Sequence, residues 1–286
     1  ALIWGAAFVA QSVGMDYIGP LTFNCVRSIL GGIVLIPLIY VLDKQKKRNT
    51  SKVEEVEPNK KTLAIGGICC GIFLMLGSSL QQIGIQYTTA GKAGFITALY
   101  ILIVPILGMV VGKKAGIKVW IGVVLAVSGM YFLCMTSGFS IAKGDFYVLL
   151  GSIAFSFHIL VIDHFSSKVD GVKMSSIQFF VCGILCSVPM ILCEHPEMYS
   201  ILQAWKPIAY AGIMSCGVGY TLQIIAQKNT DPTVASLLLS LESVFSVLAG
   251  WVILGEKLSP RELFGCVLVF VAVIIAQLPE KKINLS

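Results

Sequence analysis

The sequence predicts an all-α membrane protein of ten transmembrane helices arranged as two inverted five-helix repeats, and three observations carry that prediction. Of 286 residues, 56% are hydrophobic and 13% charged, against about 25% charged in a typical soluble domain, and the mean hydropathy is +0.86. Apolar runs follow one another with short interruptions, many long enough for the roughly 20 helical residues that cross a hydrocarbon core of about 30 Å. They are too long, and too little alternating, for barrel strands. Finally, Gln82-Ile83-x-x-Gln86-x-x-Thr89 recurs 141 residues later as Gln223-Ile224-x-x-Gln227-x-x-Thr230, with Gly71-Ile72 echoed as Gly212-Ile213 at the same spacing. A chain that repeats itself inside membrane-length segments is most simply a duplicated bundle.

The predicted spans are residues 1–13, 20–42, 62–85, 93–112, 117–134, 146–162, 175–193, 205–226, 232–254 and 262–278. The first is too short to cross a bilayer and opens on Ala1 rather than Met, so the start of its helix is expected to precede Ala1. A cleaved signal peptide is the alternative, but no basic leader or small-residue cleavage site is present. The second span opens at Pro20 and carries Arg27. The third ends in the first copy of the echo. The fourth holds Pro105, whose missing N–H frees the carbonyl of Ile101 and predicts a kink or hinge. The fifth is apolar apart from Lys118 at its start and Ser128, the sixth carries His158, and the seventh holds Pro189 near its end, as the second holds Pro37. The eighth ends in the second copy of the echo, the ninth opens at Pro232 and carries Glu242, and the tenth follows Ser259-Pro260.

Basic residues orient the bundle. With the N-terminus cytoplasmic, and with Lys118 and Lys206 at span ends counted with the adjoining loops, fifteen of the 21 Lys and Arg residues fall on the internal side, five on the external side, and Arg27 well inside a span. Both termini are therefore expected inside, and the net charge of +6 reads as topology rather than nucleic-acid affinity. The run 43–61 is expected to be a solvated loop placed to touch anionic lipid. An odd number of spans per repeat forces the second copy, residues 141–286, to enter the membrane opposite to the first, residues 1–140. An inverted pair favours alternating access around a midplane site, with a small-molecule substrate and the lipid bilayer as partners.

Candidate site residues lie on the polar stripes of these helices. In the third span Gly71, Met75, Ser78, Gln82 and Gln86 follow helical three-and-four spacing; in the eighth, Gly212, Cys216, Gly219, Gln223 and Gln227 do so. The glutamines read either as cavity donors and acceptors or as interhelical packing bonds. Glu242 lies ten residues past Pro232, about 15 Å deep. A carboxyl there, where a charge costs about 2.5 to 3.5 kcal/mol, is a candidate proton carrier, a contact for a substrate ammonium, or a structural partner for a basic residue. Arg27, on a stripe with Asn24 and Ser28, is open to three roles: binding a substrate carboxylate, pairing with Glu242, or snorkelling to the interface. His158 titrates near physiological pH and reads as cavity lining or packing. Thr97 and Tyr100 precede Pro105, and Trp4 is a cavity aromatic or a packing one.

The nine cysteines fall mostly in apolar runs, where Cys behaves as a small hydrophobe. Cys182 and Cys186 share a face without a supporting His cluster, so no metal site is expected. No P-loop, HExxH or GxSxG pattern is present, which disfavours ATP-driven transport by this chain and leaves no cofactor or catalytic residue to predict.

The stretch from Gln81 to Tyr100, QQIGIQYTTAGKAGFITALY, followed by Val104-Pro105, resembles the fourth-helix region of EamA-domain proteins in the drug/metabolite transporter superfamily. Leu254-Gly255-Glu256-Lys257-Leu258-Ser259-Pro260, then Gly265, is similar to the signature between that family's last two helices, and Trp4-Gly5 and Arg27 fit its opening pattern. The resemblance implies a ten-helix exporter or exchanger of small metabolites, amino acids among them, in a bacterial inner membrane. The cavity would lie among the first, third, fourth, sixth, eighth and ninth helices, and a homodimer is a further candidate assembly. Many relatives carry Leu-Glu-Pro in the ninth helix; here Leu241-Glu242-Ser243 lacks the proline, so the resemblance does not carry a kink there. Glu256 is expected to cap or pair at a helix end. An integral-membrane enzyme, for which Asp163-His164 is the nearest approach to a constellation, and a non-transporting scaffold or receptor are the alternatives.

Overall fold

The computed structural model describes residues 1–49, 59–88, 90–110, 112, 116–134, 143–254 and 259–277. Among them no strand occurs. The helices are α1 (Leu2–Gly14), α2 (Pro20–Asn49), α3 (Lys60–Ile85), α4 (Ala90–Thr97 and Tyr100–Val110), α5 (Ile117–Cys134), α6 (Lys143–Ser166) and α7 (Gly171–Cys193). A short helix, Met198–Gln203, precedes α8 (Trp205–Gln227), and α9 (Pro232–Leu239 and Leu241–Leu254) and α10 (Pro260–Gln277) follow. Seven of these segments, α2, α3, α4, α6, α7, α8 and α9, are long and apolar enough to cross a membrane; α1 and residues 117–132 are shorter apolar helices.

Helix starts follow local chemistry. Asp170 caps α7 by accepting from the amides of Val172 and Lys173 at 3.0 and 3.2 Å, and Asp231 caps α9 ahead of Pro232. Ser259 and Glu262 form a reciprocal capping box at α10, with Glu262 accepting from the Ser259 amide at 2.7 Å and its own amide donating to Ser259 Oγ at 3.2 Å. Residues 255–258 of the predicted loop signature, Glu256 included, lie outside the described residues.

The apolar and polar faces are reversed relative to a water-soluble protein. Ile33, Ile36, Tyr40, Ile184, Val188 and Leu192 are exposed, whereas Gln11, Asn24, Arg27, Gln82, His158, Gln178 and Glu242 are buried. Lipid tails, not water, are the solvent such an exterior fits. Small residues let the helices approach: a side chain at Gly84 of α3 would sit 2.8 Å from the carbonyl of Gly144 in α6, and one at Gly129 of α5 would sit 2.8 Å from that of Gly265 in α10.

The ends of α2 and α7 are tied to each other. At one end Asp43 pairs with Lys173 at 2.8 Å and Lys46 with Asp170 at 3.5 Å. At the other, the Glu194 carboxylate accepts from the amides of Leu21 and Thr22, at 2.8 and 2.7 Å, and from the Thr22 hydroxyl. The two helices therefore run antiparallel. Asp145 at the start of α6 pairs with Lys92 at 2.6 Å and accepts from Thr88 at 3.0 Å, joining it to the turn between α3 and α4.

Among the described residues two helices break at positions that hold no proline. In α4 the regular ladder lapses at Ala98 and Leu99, where the amides of Leu99, Ile101 and Leu102 reach back three residues instead of four. Pro105, the predicted hinge, sits inside the second segment, Tyr100–Val110. In α9 the break is at Ser240. The hydroxyls of Ser236, Ser240 and Ser243 donate to carbonyls three residues earlier, and the Ser243 amide likewise reaches back three residues, to Ser240, at 3.1 Å. A break is thus made without the Leu-Glu-Pro proline. The predicted end of the second span at Leu42 also moves: α2 continues to Asn49 through Asp43, Lys44 and Lys46, so the first part of the expected loop is helical. Within α8, residues Tyr210–Tyr220 form a π-helix, a geometry uncommon at this length and frequent near functional sites.

Candidate functional site

The buried polar residues surround a central cavity with an empty volume of about 490 Å³, of which about 40 Å³ is reachable by the centre of a water molecule. At roughly 10 to 15 Å³ per water on that measure, it holds about three waters. Its walls come from α1 (Trp4, Ala7, Phe8, Gln11), α2 (Arg27), α3 (Gln81), α4 (Thr97, Tyr100), α6 (Phe155, His158, Ile159), α8 (Ser215, Tyr220, Gln223) and α9 (Leu239, Glu242).

Arg27 and Glu242 both face this cavity, each 5% exposed, yet no ion pair joins them. Arg27 neither pairs with Glu242 nor snorkels to the surface. Its Nε donates to Asn24 Oδ1 and one terminal nitrogen to Gln11 Oε1, both at 2.9 Å, and the guanidinium lies 5.6 Å from the Phe23 ring centroid. These bonds use two of its five N–H donors, leaving the rest for an anionic group. Asn24 is held in turn by donating to Ser78 Oγ at 2.7 Å, and Ser78 donates to the Leu74 carbonyl at 2.6 Å. Asn24 and Ser78 therefore stand behind Arg27 and set its direction, outside the cavity wall itself. Across the space, Glu242 Oε1 accepts from the Tyr100 hydroxyl at 2.9 Å.

The break in α4 serves this geometry. Thr97 on one side of it accepts from Gln81 Nε2 at 2.9 Å, while Tyr100 on the other side reaches Glu242. An unbroken helix would fix the two at 300° around one axis; the break lets each meet its own partner.

One wall is aromatic. Tyr220 stands between Trp4, with ring centroids 4.7 Å apart, and His158, at 5.8 Å. His158 Nε2 is 3.0 Å from Gln178 Oε1, so with that amide orientation Nε2 carries the proton. Gln223 donates to Gln227 at 2.9 Å, and Gln227 to the Ile159 carbonyl at 3.3 Å. Two buried polar atoms on the cavity residues, Trp4 Nε1 and Gln223 Oε1, have no partner. Such atoms are costly unless a ligand or water meets them.

Of the predicted residues, Trp4, Arg27, Thr97, Tyr100, His158, Gln223 and Glu242 converge on the cavity. Asn24, Ser78 and Gln82 lie behind its wall, Gln82 donating to the Gln11 carbonyl at 3.3 Å, and Pro105 lies further along α4. Sequence reading missed Gln11, Gln81, Ser215 and Tyr220. Gln11 was accessible in principle, since Trp4, Ala7, Phe8 and Gln11 share one helical stripe. Among the described residues no three His, Cys, Asp or Glu side chains gather as a metal site.

Residues 1–135 and 142–277 match the model of the EamA-like transporter family. An uncharacterized transporter of Archaeoglobus fulgidus is 31% identical over 97% of this chain and 83% of its own length. A protein of Chlamydia muridarum named S-adenosylmethionine/S-adenosylhomocysteine transporter is 22% identical over 94% of this chain and 89% of its own. A solved crystal structure superposes with a TM-score of 0.71 at 17% identity, covering 96% of this chain and 95% of that one, a likeness of fold. With multiple apolar helices and a family match across both halves, this chain is a multi-pass membrane protein and belongs to the EamA-like transporter family.

Proposed function

We propose that this chain is a secondary active transporter, an exporter or exchanger, that moves a small amino-acid-like metabolite across the cytoplasmic membrane by alternating access, with ten helices in two inverted repeats and both termini cytoplasmic. The observation that carries the substrate class is the pair of buried, opposite charges, Arg27 and Glu242, that share one cavity without neutralising each other. A zwitterion meets both, its carboxylate at the free guanidinium donors and its ammonium at the carboxylate. The aromatic wall of Trp4, Tyr220 and His158 suits a substrate with a flat or apolar side group. The Chlamydia relative's named cargo bears an amino-acid moiety and is accordingly a first candidate.

Several features support the inverted repeat. The breaks at Leu99 and Ser240 are 141 residues apart, the offset of the sequence echo. Both halves contribute to the cavity, and Tyr100 of the first bonds Glu242 of the second. The antiparallel α2 and α7 hold equivalent places in the two halves. Space for about three waters is too little for an amino acid, so binding requires the cavity to open toward one side, as alternating access demands.

A thermal-shift screen of amino acids and their derivatives against the purified protein, followed by uptake and counterflow in proteoliposomes with the best hit, tests the reading. Saturable flux abolished by Arg27→Ala and by Glu242→Ala is the expected result. Flux through either variant at the wild-type rate would remove the charge pair from the mechanism, and absence of flux for every compound that binds would remove transport.

A further inference from the structure

A second cleft, with about 450 Å³ reachable by the centre of a water molecule, opens at the end of the bundle where α2, α6 and α8 finish and α7 begins. Lys46, Lys168 and Lys228 line it against one carboxylate, Asp170. Ser166 also lines it, 3% exposed, and its hydroxyl has no hydrogen-bond partner. That is a departure from local practice: the hydroxyls of Ser78, Ser152 and Ser156 all bond back to a carbonyl of their own helix. We propose that this cleft binds a phosphate group, carried on an anionic membrane lipid or free in solution, with Ser166 as donor and the lysines as its charge.

The arrangement of charges favours an anion over a cation. Asp170 accepts from the Val172 and Lys173 amides and from Lys46 at 3.5 Å, so its carboxylate is already answered and the first amides of α7 are already used. Lys173 is likewise engaged by Asp43. Lys168 is held at the rim by His164, at 2.8 Å, and by the face of Phe165, while Lys228 is exposed. The cleft is some ten times roomier than the space open to water in the central cavity and falls in the range of small-ligand sites. Ile225 forms part of its wall and is half exposed on the apolar exterior, so a headgroup seated at Ser166 leaves its acyl chain running down α8 into lipid. The site is independent of what the central cavity carries.

Native mass spectrometry of the full-length purified chain with phosphatidylglycerol or phosphatidylcholine at equal mole fraction tests the lipid source, and thermal shift with inorganic phosphate against chloride at matched ionic strength tests the free one. Near a membrane surface each lysine is worth about fivefold in anionic-lipid affinity. Lys228→Gln, at an exposed position that leaves folding intact, should therefore weaken phosphatidylglycerol binding about fivefold, and Lys168→Gln with Lys228→Gln roughly 30-fold. Phosphatidylcholine binding should be unchanged in both. Ser166→Ala should weaken the anion without lowering the melting temperature in lipid-free detergent. A phosphate-specific thermal shift lost in the double variant, with no preference between the lipids, assigns the site to free phosphate. Equal retention of both lipids by wild type and variants with no phosphate-specific shift, or a loss that is the same for both lipids, overturns the proposal.

Discussion

Replacing Glu242 by Gln removes one exchangeable proton and little else. The side chain keeps its volume, and the amide oxygen of Gln takes over from Oε1 as acceptor for the Tyr100 hydroxyl, now 2.9 Å away. The other titratable or charged groups on the cavity are Arg27, His158, Tyr100 and Tyr220, and Glu242 is the one carboxyl among the residues that line it. His158 is engaged by Gln178, and Arg27 by Asn24 and Gln11. If that carboxyl is the coupling group, one proton moves per substrate. A pH difference of one unit then supplies about 1.4 kcal/mol, enough to hold a neutral substrate at about a tenfold gradient. In proteoliposomes the wild type should approach that ratio for each imposed pH unit. Glu242→Gln should equilibrate substrate to a ratio of about one while still exchanging labelled for unlabelled substrate in counterflow. A tenfold gradient sustained by Glu242→Gln would refute the assignment, since no carboxyl would remain in the cavity to carry the proton.

Arg27→Lys keeps the charge but cannot span Asn24 and Gln11 with one planar fork; losing a charged hydrogen bond, at about 1.5 to 3 kcal/mol, should weaken substrate binding roughly 10- to 150-fold by calorimetry. Gln223→Ala removes a cavity residue whose Oε1 lacks a partner and should raise the substrate Kd about fivefold, one hydrogen bond's worth, with little change in melting temperature. Gln82→Ala, behind the wall, should do the reverse, lowering the melting temperature more than the affinity. Gly84→Ala pushes a methyl against Val148 and to 2.8 Å from the Gly144 carbonyl; it should destabilise the α3–α6 contact by about 1 to 3 kcal/mol, read as a lower unfolding temperature in detergent.

Helices were legible in the sequence because apolar length is a bulk property; their irregularities were not, because those answer to single distant partners. Pro105 predicts a kink or hinge, but no residue type predicts the further lapse at Ala98 and Leu99, flanked by Thr97 and Tyr100 with their partners Gln81 and Glu242 on other helices. In α9 the break at Ser240 comes with serine hydroxyls bonded to carbonyls of their own helix and with no proline. Arg27 and Glu242 stood out because a charge inside a span is expensive wherever it points. Glutamines gave no such signal. Gln81 and Gln82 differ by 100° on one helix, and the shared stripe with Ser78 favoured Gln82, whereas it is Gln81 that lines the cavity. Asn24 and Ser78 were found for a related reason: the stripe is real, but it runs to the support of Arg27 and not to the cavity surface.

The same geometry bears on how binding and movement are joined. At both ends α2 and α7 are tied, by Glu194 to the start of α2 and by Lys173 to Asp43, and α5 and α10 approach each other closely at Gly129. The broken helices α4 and α9 meet through apolar packing of Ala98 and Ile101 with Leu237 and Val244, a hydrogen bond from Ser246 to the Ala90 carbonyl at 3.4 Å, and, at the cavity edge, the bond from Tyr100 to Glu242. A bond from a neutral donor to a charged acceptor is worth about 1.5 to 3 kcal/mol, which corresponds to a shift of roughly 10- to 150-fold in a two-state population. Whatever neutralises or occupies Glu242, a proton or a substrate ammonium, therefore acts directly on the contact between the two irregular helices. Under the proposed alternating access, occupancy of Glu242 would thereby bear on opening through the α4–α9 contact.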